Sequence, residues 1–87
     1  MKNITDLYFD WFYQAWQEYC PGDLIEEGLL PSQIADRFVE DNQKNLVKYS
    51  KNFDENNFEA LNQFMKLSES ELLILKYFLK LVSLKIN

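Results

Sequence analysis

The stretch SESELLILKYFLKLVSLKI, residues 68–86, decides the fold. Ser68 followed three residues later by Glu71, just ahead of an apolar run, has the form of a capping box. In that motif the serine hydroxyl accepts a backbone N–H inside the helix and the carboxylate reaches back to the serine N–H. A helix is therefore expected to start here and to run to about Lys85. At 100° per residue, Leu72, Leu73, Ile74, Leu75, Tyr77, Phe78, Leu79, Leu81, Val82, Leu84 and Ile86 cover roughly 260° of the wheel. Glu69, Lys76, Lys80 and Ser83 are left as the polar side. A helix apolar almost all round belongs inside a bundle. The fold expected is all-α: a compact bundle of four to five helices with this nearly all-apolar C-terminal helix at its centre. The run is interrupted by lysines and falls short of the ~20 residues that cross a bilayer, so no membrane segment is expected.

Composition points the same way. Eighty-seven residues, 47% of them hydrophobic, with only two glycines and two prolines, leave little room for the turns of an all-β fold. A single domain spanning residues 1–87 is expected, in which nearly every large apolar side chain is needed for the core. The one cysteine, Cys20, cannot form an internal disulfide, and the N-terminal sequence lacks a basic start and apolar run. A reducing cytoplasm is the expected location.

At the other end of the chain, seven of the twelve residues from Tyr8 to Tyr19 are aromatic: Tyr8, Phe9, Trp11, Phe12, Tyr13, Trp16 and Tyr19. A surface helix shows an apolar stripe of roughly 100°, and this set is wider, so the first helix has two faces to bury. It is expected to start at Asn3 or Thr5, with Asp6 facing the positive dipole end, and to stop before Cys20-Pro21-Gly22. Phe12, Trp16 and Tyr19 are placed inwards. Phe9, Trp11 and Tyr13 are the edge positions most available to a partner. Residues 21–31 read as an acidic loop or short helical turn pinned by its leucines.

Ser32 is the expected N-cap of the next helix, whose apolar positions Ile34, Ala35, Phe38, Val39, Leu46, Tyr49 and Phe53 fall within roughly 140° of arc. Asn42 and Asn45 sit inside that arc. The favoured reading is a continuous or kinked helix to about Asn52; a break near Asp41-Asn42-Gln43 is the alternative. Asp54 is the expected cap of a further helix carrying the stripe Phe58, Leu61, Phe64 and Met65.

The residue inventory excludes much chemistry. There is no histidine, so Ser-His-Asp and Cys-His sites are ruled out. Zinc binding by a histidine-free chain with one cysteine is remote, and Asp23, Glu26 and Glu27 match no calcium-loop spacing. Neither a metal nor a cofactor is expected, and no catalytic residue is assigned. Cys20, at a helix C-terminus with no nearby cation, is expected to be a small part-buried residue.

Charge is segregated. Residues 1–43 carry nine acids against Lys2 and Arg37, a net of −7, while residues 44–87 net +2. Such polarity steers partners and opposes general affinity for phosphate backbones. Surplus aromatics on the first helix suit a protein interface, where these side chains bury much area and keep a polar handle. The expected function is therefore non-enzymatic binding of another protein, with self-association as one form. An acidic arc of Asp6, Asp10, Asp23, Glu26, Glu27, Asp36, Glu40 and Asp41 would occupy a basic groove of the target, as small inhibitor proteins do. Nucleic acid and membrane are not the expected partners. The alternative rests on Gln33-Ile34-Ala35-Asp36-Arg37-Phe38 and Leu46-Val47-Lys48-Tyr49, which together resemble the rhythm of a helix-turn-helix segment. That resemblance implies a dimeric DNA-binding regulator using residues 33–51, although Val39-Glu40-Asp41 stands where the turn usually has glycine.

Overall fold

The computed structural model describes residues 3–53 and 55–86, and among them every regular element is helical. Helix α1 runs Ile4–Tyr19, α2 Pro21–Glu26, α3 Pro31–Asp41 and α4 Gln43–Lys48. A 3-10 turn Ser50–Asn52 leads to α5, Glu55–Met65, and α6, Glu69–Ile86. Four of these helices have eleven residues or more; α2 and α4 are six-residue segments. The expected all-α bundle is the fold observed, but α6 is enclosed on one side only, with Leu73, Tyr77, Lys80 and Leu84 exposed on the other. Its radius of gyration, 12.1 Å, is what a compact chain of this length should have, about 12 Å.

Local chemistry sets the boundaries. Asn3 caps α1, its side chain accepting the Asp6 N–H at 2.8 Å. Cys20 ends the helix in the left-handed region (φ 53°, ψ 57°), donating its N–H to the Trp16 carbonyl, and buried Pro21 then opens α2. Cys20 itself is exposed, not part-buried as expected: it lies at the α1–α2 junction with its thiol on the Gln17 carbonyl. At α6 the capping box is present: Glu71 N–H donates to Ser68 Oγ at 3.3 Å, and Ser68 N–H to Glu71 Oε1 at 3.4 Å.

Two boundaries differ from the sequence reading. Helix α3 is capped at Leu30, not Ser32, because Pro31 occupies the first helical position, where its missing N–H costs nothing. The Gln33 side chain accepts the freed Leu30 N–H at 3.0 Å. The favoured continuous helix to Asn52 is also corrected: α3 stops at Asp41, and α4 ends at Lys48 before the 3-10 turn. The break is local competition at one acceptor. Asn42 sends both its N–H (3.1 Å) and its side-chain Nδ2 (3.0 Å) to the Phe38 carbonyl, and such side-chain bonding interrupts a helix. Asp54, the expected cap of α5, lies outside the described residues.

The core forms where α1, α3 and α6 meet. Helix α6 packs chiefly along α3, with α5 and α2 also against it. Its buried side, Ile74, Leu75, Phe78 and Val82, meets Ile34, Ala35, Phe38 and Val39 of α3 and Tyr8, Phe12 and Trp16 of α1. Phe38 sits in a cage of rings: Phe78 at 5.1 Å, Tyr19 at 5.3 Å, Phe12 at 5.5 Å and Trp16 at 5.7 Å. Each such fully buried side chain contributes about 1.5–3 kcal/mol. The buried amide Asn52 ties the 3-10 turn to its neighbours. It accepts from Thr5 Oγ1 at 3.4 Å through Oδ1, and from Asn57 Nδ2 through its carbonyl oxygen.

Candidate partner-binding face

Helix α1 disposes of its surplus aromatics on both flanks. Trp11, on one edge, stacks on Tyr49 at 5.5 Å and 25°, and is half-buried. Phe9 and Tyr13, on the other edge, both meet Phe64 of α5 at 5.7 Å, Tyr13 edge-on at 82°. The wide apolar arc of α1 is thus flanked by the residue after α4 on one side and by α5 on the other.

The two flanks end differently. Tyr49 is buried. Phe64 is 48% exposed and Tyr13 37% exposed, so the Phe9–Tyr13–Phe64 contact is an aromatic patch open to solvent. Asp6 and Asp10 precede Phe9 and Tyr13 by three residues each, which places them beside the patch on the same side of α1. Asp6 is exposed and Asp10 half-buried. The structure therefore brings together Phe9, Tyr13, Asp6 and Asp10 from the expected site. It turns Trp11 to the other edge, where its ring is engaged within the chain.

Sequence reasoning gave Phe64 to the core stripe of α5. Of that stripe Leu61 is fully buried and Phe58 and Met65 half-buried, while Phe64 lies at its edge and leans over α1. Only a pairing of α5 with α1 makes it part of a surface, and no pattern within one helix carries that information.

The remaining acids, Asp23, Glu26, Glu27, Asp36, Glu40 and Asp41, lie on exposed positions of α2, α3 and the turn between them. Glu40 and Asp41 act on Tyr19. Burial first, then the Asp41 carboxylate, push the Tyr19 hydroxyl above its ordinary value near 10; Arg37 opposes this and Glu40 adds to it. The structure thus groups the C-terminal acids of α3 at the end of α1. Among the described residues no group of three Cys, Asp or Glu side chains is arranged to hold a metal ion, and no helix is long and apolar enough to cross a membrane.

Residues 33–51, the segment resembling a helix-turn-helix, fold as α3, the break at Asn42, α4 and the first residues of the 3-10 turn. Leu46 of α4 is buried, and Lys44, Lys48 and Lys51 are exposed. Compared with family models, with curated proteins and with solved structures, the chain matches none.

Proposed function

We propose that this is a non-enzymatic protein that acts in the cytoplasm by binding another protein through the α1–α5 aromatic face. Phe9, Tyr13 and Phe64 form the contact centre, and Asp6 and Asp10 select a basic surface on the partner. The supporting observation is that Phe64 meets both Phe9 and Tyr13 and that Phe64 and Tyr13 stay open to solvent, while the other ring contacts of α1 are made to buried or half-buried residues. Interfaces concentrate aromatic side chains at their centres and charge at their rims. The acids of α2 and α3 act at longer range, raising the encounter rate with a basic partner in a salt-dependent way. Blocking a basic groove of the target is the mode of action this arrangement favours.

The test is affinity capture from cells of the source organism, comparing the wild-type chain with Tyr13→Ser/Phe64→Ser and Asp6→Lys/Asp10→Lys. A partner retained by wild type should be lost on both variants while circular dichroism shows each still folded at the capture temperature. A partner captured equally by all three would overturn the assignment. A duplex-binding assay covers the alternative: the DNA reading requires binding that weakens steeply with salt and fades in Lys44→Ala/Lys48→Ala.

A further inference from the structure

Helix α6 carries a second apolar strip, on the side away from the core. Leu73 is 44% exposed, Tyr77 39% and Leu84 72%, and Lys80 between them is exposed as well. Positions 73, 77, 80 and 84 are spaced four, three and four apart, the seam period of paired helices. The chain itself leaves this strip uncovered, since the contribution of α6 to the core comes from Ile74, Leu75, Phe78 and Val82.

The geometry points to a second copy of the same chain as the occupant, with the two α6 helices antiparallel about a two-fold axis between positions 78 and 79. Read from either end the strip runs leucine, two middle positions, leucine, and the middle pair is aromatic then cationic in one direction and the reverse in the other. Antiparallel superposition therefore sets Leu73 against Leu84 of the second copy and Tyr77 against Lys80 of the second copy, twice over. An isologous interface needs this kind of self-complementarity. The Lys80 ammonium meets a tyrosine face, an attractive pairing, and the opposed helix dipoles are also favourable. A shallow groove lined by Glu69, Ser70, Leu72, Leu73 and Lys76 lies where Leu84 of the second copy would seat. Lys76 leans off the seam, 5.8 Å above the Phe58 ring of its own α5. Four side-chain layers bury less than the ~1,200 Å² of a standard stable interface, so the dimer is weak and concentration-dependent. The strip is separate from the aromatic face of α1 and α5 and does not depend on the role assigned there.

Sedimentation equilibrium of the full chain from ~10 μM to ~1 mM tests this. The weight-average mass should rise from 10.5 kDa towards twice that value. Leu73→Glu/Leu84→Glu should hold it at the monomer while melting like wild type, and Tyr13→Ser/Phe64→Ser should dimerise as wild type does. A Cys20→Ser/Leu73→Cys/Leu84→Cys variant reports the register. Its two new thiols lie about 16 Å apart along one helix, too far for an internal disulfide, so mild oxidation should give a covalent dimer. A constant 10.5 kDa mass throughout the range overturns the inference. Self-association that survives Leu73→Glu/Leu84→Glu overturns it as well and places the contact elsewhere.

Discussion

The Trp16 indole Nε1–H donates to the Glu71 carboxylate at 2.8 Å, joining α1 to the first turn of α6. The other oxygen of the same carboxylate closes the Ser68 capping box. One side chain thus starts the last helix and fixes how the first packs across it. A hydrogen bond to a charged group is worth about 1.5–3 kcal/mol, and losing a cap costs about 1. Glu71→Ala should destabilise by about 2–3 kcal/mol and Glu71→Gln by less. A double-mutant cycle with Trp16→Phe, read by urea denaturation, should give a coupling of about 1 kcal/mol or more; additive costs would mean the bond contributes nothing.

Lys66, just after α5, holds φ at 53° with its N–H on the Asn62 carbonyl at 2.7 Å. A side chain pays about 1 kcal/mol for that left-handed conformation and glycine does not. Lys66→Gly should stabilise by about 0.5–1 kcal/mol and raise the melting temperature by a few degrees. Cys20→Gly gains the same way but loses the Sγ–H bond to the Gln17 carbonyl, so its gain should be smaller.

Phe38 touches four aromatic rings and is 1% exposed. Phe38→Ala should cost about 3–5 kcal/mol, a large share of the stability of any domain this size. Chemical denaturation should show a transition at much lower urea than wild type, or none.

Tyr19 supplies a pH dependence. Its folded-state pKa lies above the unfolded value near 10, through burial and the Asp41 and Glu40 carboxylates. The unfolded chain therefore releases this proton first, and the stabilisation is fully present below about pH 10 and lost as pH rises through the folded pKa. Comparing melting temperatures of wild type and Tyr19→Phe between pH 8 and 11 should show a difference that is constant to about pH 10 and then shifts against wild type.

Periodicity and capping chemistry made most of the bundle legible. Ser68 and Glu71 located α6, Asn3, one of two candidate caps beside Thr5, located α1, and the arc of Ile34, Ala35, Phe38, Val39, Leu46 and Tyr49 supplied six buried residues. Local competition was harder to read. Pro31 moved the start of α3 ahead of Ser32, and the Asn42 amide broke a helix whose apolar pattern runs straight through. Lys66 takes a left-handed conformation where glycine would have announced a helix end. Four of the five residues of the candidate face, Phe9, Tyr13, Asp6 and Asp10, were visible in the α1 wheel. Phe64 was not, because its exposure follows from how α5 lies against α1.

The most direct test of the binding account is site-specific photo-crosslinking in cells of the source organism. A benzophenone amino acid replaces Tyr13 or Phe64 in turn, with Val47, exposed on α4, as the control position. The account predicts that positions 13 and 64 crosslink to the same foreign protein and position 47 does not. Crosslinking of one protein equally from all three positions, or of none from 13 and 64, would contradict it.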